Sequence, residues 1–244
     1  TIESNIVRAP DEESAEKMIA VIHAAQADGD SVGGVVEVVV KGCPAGLGEP
    51  IYHKLDADLA HALMTLGAVK GFEIGNGFQS ALLRGSQNND PYFRAENGDF
   101  RTLTNNAGGV VGGISNGEDI VVRIAVKPAS SITKPVKTAN RNGEMVDFKV
   151  EGRHDPCICP RVVPVAEAMV ALVLLDHVLL NDRLRESNED DELRRKIAAV
   201  EAELQLLAFQ KHHYEERLTQ LRAAQANSAL SAAAARSVAE EREA

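Results

Sequence analysis

Apolar and polar positions in this chain recur at two periods, and where the period changes the chain divides. Ala15, Met18, Ile19 and Ile22 fall at helical spacing behind Pro10 and the acidic run Asp11, Glu12, Glu13. That pattern predicts an amphipathic helix with a favourable first turn, stopping near Asp28-Gly29-Asp30. Residues 2–7 read as a strand. Residues 32–40 are a β-branched run, the pattern of a strand buried on at least one face. Gly33-Gly34 within it marks the close approach of a backbone or ligand, or a bulge. Leu55, Leu59 and Leu63 predict a helix over about 56–66. Further strands are expected at 70–74, 80–83, 119–126 and 145–150, the first two framing the turn Gly75-Asn76-Gly77.

Residues 85–106 are polar and read as a long surface excursion, suited to a lid. Residues 105–117 are the most glycine-dense stretch, whose amides suit an anion or a flat ring at close range. Pro164 is expected to open a helix through the apolar run that begins at Val165. The run ends at Asp176 and His177, so it reads as a buried helix too short to span a bilayer. From Asp182 onward there is no Gly or Pro. There Leu193, Ile197, Val200, Leu204, Leu207, Lys211, Tyr214, Leu218 and Leu221 step by four and three, a heptad seam that predicts a coiled coil. The organisation expected is therefore a domain over 1–186 and a charged helical tail over 187–244.

Composition narrows the function. Aromatic residues make up 4% of the chain and the formal net charge is -10, which excludes stacking platforms and counterion-releasing surfaces for nucleic acid. No basic leader precedes an apolar core at the start of the chain. Three cysteines imply no disulfide framework and favour a reducing cytosol. The chain starts at Thr1 without a methionine, which suggests processing or an incomplete chain.

Two stretches stand out chemically against this acidic background. Lys127, Ser130, Ser131, Thr133, Lys134 and Lys137 follow a predicted strand, and ammonium groups, hydroxyls and turn amides are what a phosphate needs. A solvated basic turn is the plain alternative. The loop Gly152-Arg153-His154-Asp155-Pro156-Cys157-Ile158-Cys159-Pro160-Arg161 holds charged groups between prolines. Arg153 and Arg161 suit bidentate anion contacts. Adjacent His154 and Asp155 tend to point apart, so each would serve a ligand separately or simply shape the turn. A C-x-C pair without a second pair does not make a metal site. There is no GK[ST] ending for a phosphate loop and no G-x-G-x-x-G in a βαβ setting.

Taken together, Gly29-Asp30-Ser31-Val32-Gly33-Gly34-Val35, Pro44-Ala45-Gly46-Leu47-Gly48-Glu49-Pro50 and Ala68-Val69-Lys70-Gly71-Phe72-Glu73-Ile74-Gly75 resemble the chorismate synthase family. The likeness continues through Gly108-Gly109 to Gly117, Lys127-Pro128-Ala129-Ser130-Ser131 and Gly152-Arg153-His154-Asp155-Pro156-Cys157. It covers 1–184 in the family's order. The resemblance implies an α+β fold, a β-α-β sandwich of antiparallel sheets flanked by helices, usually a cytoplasmic homotetramer. It implies an enzyme of the shikimate pathway that converts 5-enolpyruvylshikimate 3-phosphate to chorismate and phosphate. That 1,4-elimination needs reduced FMN, with NADPH as a reductant, and has no net redox change. Carried over by motif, the flavin contacts are Gly67, Ala68, Gly112, Lys127, Pro128, Ala129, Ser130, Ser131 and Arg153. Asp155 is the catalytic carboxylate, assisting proton handling at the flavin N5.

The chain also departs from the pattern. The family's G-x-S-H-G and S-x-R-E-T-A segments, which carry both catalytic histidines and several phosphate-binding arginines, are absent. His23, His53 and His61 stand in other contexts. Gly67 occupies a position where the family often has Asn or Pro, and the heptad tail is foreign to it. A carboxy-terminal part of the enzyme is expected, inactive alone and lacking roughly 130 to 150 residues that a domain pair of this kind needs. A non-catalytic flavin- or anion-binding subunit that assembles through the tail is the alternative from another class.

Overall fold

The computed structural model describes residues 2–96, 98–185, 192–200 and 203. The chain divides into two compact units, Thr1–Asp182 and Arg183–Ala244. The first is mixed α+β and every strand pairing in it is antiparallel. In the second, residues 192–200 are helical and Leu193, Ile197 and Val200 are exposed on them. The rest of the heptad seam lies outside the described residues.

The first unit is built on three strands, β1 (Gly34–Val40), β2 (Val69–Ile74) and β7 (Ile120–Val126), in the order β1-β7-β2. Alternation fixes the register, since a one-residue slip would turn the buried set outward. Val36 and Val38 of β1 and Ile120, Val122, Ile124 and Val126 of β7 all point to one face and are buried. Helix α2 (Leu55–Met64) lays Leu55, Leu59 and Leu63 on that face, each with no exposed surface. A third layer of contacts comes from α4 (Cys159–Arg185), whose Ala166 and Val170 join the same core.

Helix α1 (Glu12–Ala27) starts and stops where the sequence places it. Asp11 caps it by accepting from the Ser14 amide at 2.7 Å, a bond that holds the Asp11 carboxyl below its usual range. Four other expectations are corrected. Residues 2–7 form a 3-10 turn and bends, because the Asn5 side chain both donates to and accepts from the Ala9 backbone at 2.9 Å. Residues 80–83 belong mostly to a 3-10 helix, Gly77–Leu82, rather than a strand. The excursion over 85–106 holds a helical turn, α3 (Gly85–Asn88), and a hairpin of β3 (Tyr92–Arg94) and β4 (Phe100–Thr102). It is tied down at its base, where Asp90 accepts from the amides of Asn106 and Ala107 at 2.8 Å and Glu118 takes both arms of Arg101.

The fourth correction concerns α4. It begins at Cys159, five residues before the expected start at Pro164. Pro160 sits in its first turn, where a missing N–H costs nothing. Pro164 does remove a bond, and the Pro160 carbonyl instead accepts from the Arg8 guanidinium at 3.3 Å. At 27 residues, with a mean hydropathy of 2.0 over its most apolar 18 residues, α4 is long and apolar enough to cross a membrane by length and composition. Asp176 and His177 interrupt the apolar run without ending the helix. It is also less buried than expected: His177 is buried against Asp58 of α2 at 3.0 Å, while Leu172, Leu175 and Leu179 are exposed.

Two further hairpins complete the unit. Strands β5 (Val110–Val111) and β6 (Ile114–Ser115) form the tip of the glycine-dense stretch. Strands β8 (Val136–Ala139) and β9 (Met145–Phe148) form the other, entirely exposed.

Candidate functional site

Four loops meet where β7 ends and β1 and β2 begin. Gly34 and Val69 both pair with Val126, so the segments entering β1 and β2 and the one leaving β7 emerge side by side. The Lys127 amide donates to Ala68 O at 2.9 Å. Ser31 Oγ donates to Ala129 O at 2.6 Å. The amides of Thr133 and Lys134 converge on Gly29 O, and the Val32 amide donates to Pro156 O at 2.8 Å. The loop at Arg153 to Pro156 is therefore bound to the entry of β1, and through it to the exit of β7.

Gly33 permits this closeness. A Cβ there would stand 2.3 Å from Val126 O and 3.0 Å from Pro128, closer than real Cβ contacts run. The close approach inferred from Gly33-Gly34 is thus one between backbones. Ala68 carries a different mark, a φ of 70°, a left-handed conformation that a residue with a Cβ adopts only when its surroundings hold it.

A cleft of about 220 Å³ opens between these loops, lined by Gly29, Ser31, Ser131, Arg153, His154 and Asp155 among others. Asp155 Oδ2 lies 2.8 Å from Arg161 Nη1, and its Oδ1 lies 3.9 Å from Arg153 Nη2. Arg161, expected as an anion contact, is therefore spent on orienting Asp155. Arg153 stays 86% exposed and free to reach a ligand. His154 Nε2 is buried and has no hydrogen-bond partner among the described residues. Such an orphan is costly and calls for a partner the chain does not supply. Nothing in the residue pattern signals it, because burial of one ring nitrogen is a property of the folded chain.

The basic stretch resolves into unlike members. Lys134 is paired with Asp28, and with Asp30 at 3.5 Å, so its charge is already met; the bond to Asp28 raises its affinity for the proton. Lys127 is exposed and has no ion pair among the described residues. Ser130 and Ser131 are exposed, and Thr133 Oγ1 donates back to Gly29 O at 3.3 Å. Lys137 stands on β8.

Of the residues singled out in the sequence for their side-chain chemistry, Ser131, Thr133, Arg153, His154 and Asp155 line the cleft. Gly67, Ala68 and Lys127 to Ser130 gather at the same end of the sheet without lining it. Gly112 is elsewhere. Its hairpin is fixed to the start of α2 by the Leu55 amide donating to Gly113 O at 2.9 Å, whereas Ala68 follows the end of α2. Ten helical residues separate the two ends by about 15 Å.

A core sheet with helices on one face and an anion-suited loop cluster at its end is one shared by known enzymes. The family model for chorismate synthase matches residues 1–179. This chain belongs to the chorismate synthase family. It is 56% identical over 178 residues to the chorismate synthase of Trichormus variabilis, covering 73% of this chain and 49% of that protein. The chorismate synthase of Synechocystis sp. is 57% identical over 178 residues, with the same two shares. A solved structure titled "Crystal Structure of Chorismate Synthase" superposes with a TM-score of 0.61 at 34% identity, over 74% of this chain and 47% of that one. The chain thus spans about half the length of the curated relatives it matches.

Proposed function

We propose that this chain supplies the flavin-side half of a chorismate synthase, converting 5-enolpyruvylshikimate 3-phosphate to chorismate and phosphate by 1,4-elimination. The observation that carries the reading is the gathering of the Ala68, Lys127 to Ser131 and Arg153 to Pro156 segments at one end of one sheet. These segments are far apart in sequence and all belong to the motifs that carry the family likeness.

The residues present fit an FMN. Lys127 and Arg153 are cations with little or no pairing, Ser130 and Ser131 offer hydroxyls, and His154 Nε2 is a buried atom awaiting a partner. No atom lies within 4 Å of where a Gly67 Cβ would stand, so its backbone is open to a flat ring. When bound, the reduced flavin supplies electron density to the allylic centre. The chain's own groups hold and orient. Lys127 and Arg153 meet the negative charge that grows as the carbon–oxygen bond to phosphate breaks, and fixed donors do this without reorganising. Asp155, oriented by Arg161, handles a proton at the flavin N5. Gly112 would reach a flavin seated here only from a neighbouring copy, which the family's homotetramer allows.

The test pairs this chain with the half of the Synechocystis relative that it does not span, and follows chorismate release with reduced FMN. Turnover by the pair and none by the chain alone supports the reading. No turnover by a properly formed pair that still binds FMN would replace it with a non-catalytic flavin-binding subunit.

A further inference from the structure

Cys157 and Cys159 take no part in the site described above, and both are free, half-buried thiols. Two residues apart, their Cα atoms stand at most about 7 Å from one another. The chain also turns at this point: the amides of Arg161 and Val162 donate to Ile158 O at 3.0 and 3.1 Å, and α4 starts at Cys159. A turn brings such a pair within the span a disulfide bridges, roughly 4.4–6.8 Å between Cα atoms. Both thiols line one cleft of about 280 Å³, whose walls include Val7, Met18, Val21 and Ile22. Apart from Lys17 its lining side chains are apolar or thiol, which suits a small neutral reagent. Cys159 Sγ has its room there because Gly34 carries no side chain; a Cβ on Gly34 would stand 3.0 Å from the sulfur.

The pair also lies inside a larger closure. Asp155 and Arg161 join the two ends of 155–161 by their ion pair at 2.8 Å, and the Val32 amide holds Pro156 O. A bond between Cys157 and Cys159 therefore acts on the middle of a segment whose ends are that ion pair. We propose that Cys157 and Cys159 are an oxidation site for a hydroperoxide, closing to an intrachain disulfide that moves Arg161 relative to Asp155. In the first step the Cys157 thiolate attacks one peroxide oxygen and the O–O bond breaks. The leaving oxygen takes up a proton as an alcohol or water; the peroxide is reduced and Cys157 becomes a sulfenic acid. The Cys159 sulfur then attacks the Cys157 sulfur, an S–S bond forms as the S–O bond breaks, and the departing hydroxide leaves with the Cys159 proton as water. The surroundings set the order of the steps. Burial, together with neighbouring Cys157, pushes the Cys159 thiol up to about 12, so Cys159 keeps its proton until the second step. A thiol reductant reverses the bridge. None of this depends on flavin binding or turnover.

The 244-residue chain, treated with hydrogen peroxide and then denatured and alkylated, should carry one adduct, on Cys43, in place of three; dithiothreitol should restore all three. Cys159→Ser should instead hold the sulfenic acid on Cys157, read by dimedone labelling, and Cys157→Ser should leave Cys159 unoxidised. The side-chain carboxyl resonance of Asp155 should shift on oxidation of the unaltered chain and stay in place in Cys157→Ser. Three adducts after peroxide, a bridge that uses Cys43 or a second chain, or dimedone labelling of Cys159 overturns the proposal. So does a closed Cys157–Cys159 bridge that leaves the Asp155 resonance where it was.

Discussion

Asp155 is held on two sides by guanidinium groups, Arg161 at 2.8 Å and Arg153 at 3.9 Å, and these unequal distances separate their roles. In the completed enzyme, Asp155→Ala should lower kcat at least a hundredfold while FMN affinity, read by fluorescence titration, changes less than fivefold. Equal losses would make Asp155 a scaffold. Gly33→Ala is a structural counterpart. The new Cβ meets a backbone oxygen that cannot turn away, so stability should fall by about 1–3 kcal/mol, seen as a lower Tm. Local chemistry in the sequence singled out Gly33, Arg153 and Asp155. It did not show the pairings Arg161–Asp155 and Lys134–Asp28, which join segments brought together only by the fold.

Among the elements, the β3–β4 hairpin is anchored through β4 by the Glu118 carboxylate. Glu118 accepts from Arg101 at 2.7 and 2.8 Å and from the Thr102 amide, and these bonds, chiefly Arg101's, hold its pKa at about 2. A carboxylate whose pKa is depressed on folding stabilises fully above its unfolded value, near 4.5, and loses that contribution as pH falls toward 2. Exchange of the Thr102 amide should accelerate over that interval, beyond the intrinsic pH effect, and Glu118→Gln should abolish the dependence. Long periodic elements were legible: α1, α2, β1 and β7 fall within a few residues of their expected places. The β8–β9 hairpin was half seen, although Asn142-Gly143 marks its turn, because a wholly exposed hairpin has no apolar alternation. The early start of α4 was hidden by a proline whose lost bond a distant arginine replaces.

At the scale of the molecule, antiparallel α+β architecture and family membership were readable because many short motifs keep one order. The second sheet of a β-α-β sandwich is not found among the described residues, which hold one three-stranded sheet and separate hairpins. Leu172, Leu175 and Leu179 of α4 are exposed beside it. Removing residues 187–244 tests the tail: a coiled-coil seam there predicts a smaller oligomer by light scattering, and an unchanged subunit count would remove its role in assembly.

The thiols of this chain offer a chemical handle on the Asp155 loop. Burial, together with neighbouring Cys157, pushes the Cys159 thiol up to about 12, and burial also raises Cys43. Thiolate is the species that alkylating reagents attack, so near neutral pH those two should stay silent. A maleimide should then place a single label, on half-buried Cys157, two residues from Asp155. Peptide mass spectrometry would show the single adduct, and a fluorophore fixed there would report ligand arrival in the cleft directly.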